Sequence, residues 1–461
     1  MVAAFMADCF VPLISMRRLA KMVQLVGSCT IFFCGVSSSA ADAQSAVQCA
    51  PTADGKNPCP VVLHRPDQHP LSAMAEVGKA IFYDKGLSGS GRLSCASCHA
   101  PDQHYGPTGE ASVFLGGVGL NREGRRAIPT LTYAERRPNF SIGPDNAVSE
   151  TAPTLSDTTA TSNAPRGSKS ATNTASSAAN MVPQGGLFWD GRADTLQAQA
   201  EGPLFDVDEM AATPQHVMEH LAHAPYVQTL RLLAGIPNGA TPPLLMNEAL
   251  FALARYQIEA GSFHLYNSKF DAWLEGKAKF TPQERDGYLA FNDPNRGNCA
   301  ACHLDTATPE GLPPLFTDHQ YEALGAPRNM VLMRNHNAAY YDLGVCDREA
   351  GGRKTLSAYC GMFTTPTLRN SATRHVFFHN GVFHSLPEVL DFYALRDVEP
   401  EHFYGPGHVM PNDLPTAYQE NLDRKDAPFG GKKGDKPQLT EADRAAIVMF
   451  LSTLTDQAER H

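Results

Sequence analysis

The sequence predicts a mainly α-helical protein, and three observations lead there. Apolar residues recur at helical spacing in Leu71–Tyr83, Met246–Ile258, Glu284–Phe291 and Glu441–Leu454. Few stretches show the period of two that a half-buried strand requires. Long Gly- and Pro-rich connections join the helical segments, as expected where a chain wraps a large group instead of packing on itself.

The elements follow in order. Arg17, Arg18 and Lys21 precede an apolar run from Met22 to Val36 and the small residues Ala41-Asp42-Ala43. This is the pattern of a secretory signal, so residues 1–43 are set apart from the fold, with Met16 or Met22 as alternative starts. No other stretch reaches the roughly 18 uninterrupted apolar residues of a membrane span, so a soluble, exported, periplasmic protein is expected. A formal charge of −10 argues against a nucleic-acid or anionic-membrane partner and is compatible with a basic protein such as a small cytochrome.

Residues 44–63 form a short N-terminal segment. Of eleven cysteines, three leave with the signal and four fall in motifs described next. The other four are Cys49, Cys59, Cys346 and Cys360; each consecutive pair is close enough to close a small loop as a disulfide in an oxidising compartment.

Cys95-Ala-Ser-Cys98-His99 and Cys299-Ala-Ala-Cys302-His303 are two complete C-x-x-C-H motifs about two hundred residues apart. Two thiols one helical turn apart reach the two vinyl groups of one porphyrin, and the adjacent imidazole then faces the iron. A zinc site needs a further thiol or imidazole pair in local register, and neither copy has one. The chain therefore divides into a half over 64–264 and a half over 265–461, each expected to hold one covalent haem c. Thr281-x-x-Glu284 and Thr440-x-x-Asp443 are capping-box starts for two helices of the second half. From about residue 142 to 180 the first half turns to Ser, Thr, Ala and Asn, an insertion that buries little core. Arg424–Pro437 reads as a surface loop.

A haem protein carries electrons or does chemistry according to whether one iron has an open axial position. Between His104 and His216 there is no histidine, and the methionines are Met181 and Met210, so the first haem is poor in nearby sixth ligands. His104 is too close to His99 to wrap the haem edge and reads as a surface or propionate-contacting residue.

Gly186-Leu-Phe-Trp189-Asp190-Gly191-Arg192-Ala193, followed by Gln199, Gly202-Pro203 and Glu209-Met210, resembles the signature segment of the bacterial di-haem cytochrome c peroxidase and MauG family. Phe270-Asp271-Ala272-Trp273-Leu274, Thr365-Pro366-Thr367-Leu368-Arg369-Asn370 and Phe378-His379-Asn380-Gly381 agree in order. The resemblance implies two facing cytochrome c domains, a peroxidatic N-terminal haem and an electron-transferring C-terminal haem. It implies that Trp189 bridges the haems and that Gln199 and Glu209 stand over the open face of the first. A carboxylate there can move a proton from the near to the far peroxide oxygen, and an apolar setting would raise its pKa toward neutrality.

Two departures are expected to matter. Where the family's peroxidases place a Met against the second haem, this chain has Tyr393, as in the MauG branch; His303 would be the proximal ligand. A phenolate should lower the haem potential and make higher oxidation states more accessible. Met330, Met333, Met362 and His384 compete for the same position. Members that need reductive activation carry a His shortly before the Arg-x-x-Pro segment, and Gly116–Pro129 has none, which implies a five-coordinate first haem. Ala127 stands where the family often has a calcium-binding Asn, which argues against calcium, although backbone oxygens can still hold it. The expected function is therefore reduction of hydrogen peroxide with electrons from a small c-type cytochrome, a copper protein or a side chain of a protein substrate. Its rivals are a six-coordinate electron carrier and an oxygenase.

Overall fold

Four helices occupy the segments marked by apolar periodicity. They run over Ala73–Phe82, Pro242–Glu259, Pro282–Asn292 and Glu441–Ser452 in a computed structural model that describes residues 49–144, 181–236, 242–349 and 351–457. The signal segment and residues 145–180 lie outside the described residues. Thr281 and Thr440 cap their helices in reciprocal boxes with Glu284 and Asp443, satisfying backbone donors that the first turn cannot pair itself.

These helices cross in two pairs, and each crossing passes over a glycine. A Cβ on Gly78 would lie 1.9 Å from the carbonyl oxygen of Ala252, and one on Gly287 would lie 2.0 Å from that of Ala446. Only a residue without a side chain lets the backbones approach so closely. Around the first crossing, Val77, Ile81, Phe82, Leu230, Leu253 and Phe263 form one apolar core. Phe270, Trp273, Tyr288, Phe291, Phe316 and Phe450 form a second around the other. Burying each such side chain contributes about 1.5–3 kcal/mol. Both cores lie in one compact unit, Ser45–His461.

The N-terminal segment packs on the second core. A Cys49–Cys59 disulfide closes a loop in which the Gly55 carbonyl accepts hydrogen bonds from Trp273 Nε1 at 3.0 Å and Phe280 N at 2.9 Å. The second disulfide joins Cys346 and Cys360. Buried Arg369 makes a two-pronged ion pair with Asp271 at 2.6 and 2.9 Å, and Asp456 lies 3.6 Å from the same guanidinium. Asp456 also accepts from the Tyr133 hydroxyl, and its backbone carbonyl lies 3.1 Å from His104 Nε2. His104 thus ties the segment after the first motif to the C-terminal segment; of its two expected roles, surface or propionate contact, it is partly exposed and lines neither cavity described below.

Sheet is confined to three two-stranded ladders among the described residues. One pairs Ser141–Pro144 with Met181–Gln184, so regular structure runs two residues past the expected start of the insertion and resumes directly after its end. Among the described residues no helix is long and apolar enough to cross a membrane.

Candidate active site

Each C-x-x-C-H motif opens on a cavity. Cys95-Ala-Ser-Cys98 is a single helical turn, and Cys299-Ala-Ala301 is a tighter one, so the two thiols of each motif stand one turn apart. Burial pushes the thiols of Cys95, Cys98 and Cys299 up to about 12. Protonated thiols on an apolar wall are poor ligands for a metal cation. Among the described residues, moreover, no group of three or more His, Cys, Asp or Glu could hold a metal ion.

The histidines are oriented from behind. His99 Nδ1 lies 3.0 Å from the carbonyl oxygen of Tyr105, and His303 Nδ1 lies 2.8 Å from that of Phe316. A carbonyl only accepts, so Nδ1 carries the proton and Nε2 keeps its lone pair, as an axial ligand requires. Burial drives the His99 pKa down to about 4, which keeps the imidazole neutral. These features fit covalently attached haem.

The first cavity is lined by Cys95, Cys98, His99, Gln199, Glu209 and Trp189, together with apolar residues of the first core. Gln199 is carried by the helix Leu196–Phe205, and Glu209 follows its end, where Glu209 N donates to the carbonyl of Asp206. Glu209 is half-buried, and its carboxyl is pushed up to about 7, first by burial and then by Asp206, with Arg192 opposing. No histidine besides His99 lines this cavity among the described residues, but Met210 and Met246 do. Both methionines pack in the first core. Met210 lies in the stretch between His104 and His216, whereas Met246 lies beyond it and reaches the cavity from the long helix Pro242–Glu259.

The second cavity is lined by Cys299, Cys302, His303 and Tyr393. Of the five residues considered for the far side of this haem, Tyr393 alone lines it. Met330 and Met333 are exposed, Met362 is packed beside Tyr321 and Val345, and His384 Nδ1 lies 3.2 Å from the carbonyl of His375. The Tyr393 ring stacks on Phe429 with centroids 5.3 Å apart, and Arg396 covers the Phe429 ring at 3.6 Å. Arg424–Pro437 is largely exposed, as the sequence leads one to expect, with Phe429 as its buried anchor. Burial raises the Tyr393 phenol well above its ordinary range.

Trp189 and Gln199 line both cavities. The Trp189 indole is fixed by Nε1 donating to the Ala127 carbonyl at 2.8 Å, and its own carbonyl accepts from Thr364 N at 3.1 Å. Next to it, buried Asp190 pairs with Arg126 at 2.7 Å and Arg192 at 2.9 Å, and Arg126 pairs with Asp342 at 2.7 Å. Burial works against these carboxylates, yet the guanidiniums hold both low. Ala127, considered for calcium, thus has its carbonyl taken by Trp189 and its N–H donated to the His379 carbonyl. Sequence reasoning missed this network because, Arg192 beside Asp190 excepted, its partners are more than sixty residues apart.

It also missed Arg137 and Arg374, which line the second cavity. Their hydrogen bonds go to Phe188, Ile128 and Val376 carbonyls and the Thr364 hydroxyl, with no carboxylate partner among the described residues. Burial lowers both, Arg374 to about 10. Two sequestered cations without counter-charge fit the propionates of a haem.

A family profile described as di-haem cytochrome c peroxidase matches residues 72–279. Methylamine utilization protein MauG of Paracoccus denitrificans is 31% identical over 395 residues, covering 84% of this chain and 89% of MauG. The chain belongs to this family. It is accordingly an oxidoreductase of the di-haem cytochrome c peroxidase and MauG type, and the family implies two haem c groups. The diheme peroxidase BthA of Burkholderia thailandensis superposes with a TM-score of 0.72 at 30% identity, covering 89% of this chain and 93% of BthA. Cytochrome c551 peroxidase of Pseudomonas aeruginosa is 28% identical over 308 residues, 66% of this chain and 67% of that enzyme.

Proposed function

We propose that this protein reduces hydrogen peroxide in the first cavity and draws the electrons through the second. The observation that carries the reading is the shared lining: Glu209 and Gln199 stand in the cavity of Cys95, Cys98 and His99, and Trp189 borders both cavities. Cys95, Cys98 and His99 hold the first haem, and Cys299, Cys302, His303 and Tyr393 hold the second. Bound there, the haems supply redox-active iron.

The chain's own residues do the rest. Glu209, poised near neutrality, takes the proton from the near oxygen of peroxide and returns it to the far one as the O–O bond breaks. Gln199 orients the peroxide from the same wall. Trp189, held rigidly by Ala127, gives one-electron passage between the cavities. Arg137 and Arg374 hold the propionates of the second haem. The export-type sequence of residues 1–43 and two disulfides favour a periplasmic site of action.

The reductant in this reading is a small c-type cytochrome or a copper protein. A second reading, oxidation of a side chain on a partner protein, is favoured by Tyr393 in the second cavity and by the similarity to MauG. Anaerobic peroxide consumption in the presence of a reduced small c-type cytochrome tests the first. Stoichiometric cytochrome oxidation, two per peroxide, is expected. Peroxide loss without cytochrome oxidation would favour the second reading, and no peroxide loss would overturn both.

A further inference from the structure

Behind the wall of the first cavity stand phenols that the peroxide chemistry above does not use. Phe82 lines that cavity, and three tyrosines stand around its ring. Centroid separations from Phe82 are 5.4 Å to Tyr83, 5.6 Å to Tyr256 and 5.9 Å to Tyr105. Beside burial, the Tyr105 and Tyr83 phenols help to raise the Tyr256 phenol above its ordinary range. Tyr105 also places its hydroxyl 2.6 Å from Ser262 Oγ and its ring flat on Phe263 at 3.7 Å.

The chain of hydroxyls has an inner and an outer end. At the inner end, the Tyr105 backbone carbonyl is the group that holds His99 Nδ1. Tyr105 and Tyr256 are 2% and 4% exposed, whereas Tyr83 is 46% exposed. Packing alone does not call for this arrangement. Phenylalanine would fill the same space without buried hydroxyls that must each find a partner. Phenols are also, with tryptophan, the side chains most readily oxidised by one electron, and a hydrogen bond such as that of Tyr105 to Ser262 lets a phenol keep or pass its proton as it does so.

We propose that Tyr105, Tyr256 and Tyr83 form a relay that carries oxidising equivalents from the first cavity to the surface, where small phenolic reductants refill Tyr83. The proposal rests on the peroxidase reading, which supplies hydrogen peroxide as oxidant. For each equivalent, one electron leaves Tyr83 and passes inward through Tyr256 and Tyr105. The Tyr83 phenolic proton leaves to water, while each buried phenol releases its proton to a neighbouring polar group as it is oxidised and takes it back as it is reduced. A phenol then returns one electron and one proton to Tyr83. Two phenols become two phenoxyl radicals as one peroxide, taking up two electrons and two protons, becomes two waters.

The test uses the haem-loaded protein, peroxide and a nitrone spin trap without any electron donor, followed by peptide mass spectrometry. The expected result is a trap adduct on Tyr83. Tyr256→Phe keeps the ring and removes the oxidisable phenol, so the Tyr83 adduct should be lost while cytochrome-dependent peroxide consumption is retained. Tyr83→Phe, at an exposed position, should abolish oxidation of added phenol with the same retention. An undiminished Tyr83 adduct in Tyr256→Phe, or peroxide consumption with no adduct on Tyr83 in the parent protein, overturns the relay. Absence of peroxide consumption in the parent protein instead overturns the peroxidase reading beneath it.

Discussion

Glu209→Gln should slow the reaction with peroxide by roughly 10²–10⁴-fold, the range that a positioned acid-base group supplies. The substitution preserves shape and hydrogen-bonding size, removes the group that accepts and returns the proton, and leaves the cavity otherwise intact. The carboxyl titrates near 7 because burial, Asp206 and Asp208 together outweigh Arg192. The sign of the pH dependence follows. The carboxylate is the form that accepts the peroxide proton, and its fraction grows as pH rises through about 7. The second-order rate of the parent protein should therefore climb across that pH and level off above it, and Glu209→Gln should be both slow and flat. Stopped-flow absorbance of the peroxide reaction between pH 5 and 9 measures both, and an unchanged rate in the variant removes the role.

Tyr393→Met should raise the reduction potential of the second haem and change its visible spectrum. An anionic phenolate stabilises the oxidised iron, whereas a neutral thioether favours the reduced form. Methionine is long enough to occupy the space between Phe429 and Phe378, whose centroids lie 5.3 and 6.4 Å from that of the tyrosine. The variant should take electrons from a reduced cytochrome more readily and be less able to store oxidising equivalents at that haem. Potentiometric titration followed optically reads this out. Identical spectra and potentials in the two proteins would show that another residue serves the iron.

Some of the architecture was legible in the sequence because its cause is local. A covalent haem needs both thiols and the imidazole within five residues, so Cys95–His99 and Cys299–His303 announce themselves. The helices around Gly78, Ala252, Gly287 and Ala446 carry their periodicity in the chain itself, and the last two carry their caps there as well. Glu209, Gln199 and Trp189 were singled out by resemblance, since nothing in a short polar stretch shows that a carboxyl will be buried or that an indole will border two cavities. What stayed hidden depends on distant partners. Phe429 sits in a run of Lys, Gly and Pro that reads as solvent-exposed, and only the fold places it on Tyr393. Arg126 meets Asp190 and Asp342 from separate segments, and Arg137 and Arg374 gain meaning only because no carboxylate among the described residues pairs with them. Met246 was overlooked because the search for a sixth ligand stayed close to the motif in sequence, whereas a helix from the end of the same half brings it to the cavity.

That last point makes the coordination of the first iron the central claim. An electron paramagnetic resonance spectrum of the as-isolated ferric protein tests it most directly. A cavity in which Glu209 and Gln199 face an open iron predicts one high-spin signal, and the haem of His303 and Tyr393 predicts one low-spin signal. Two low-spin signals would contradict the account, because they would mean that Met210, Met246 or another residue caps the first iron and that peroxide has no place to bind until it leaves.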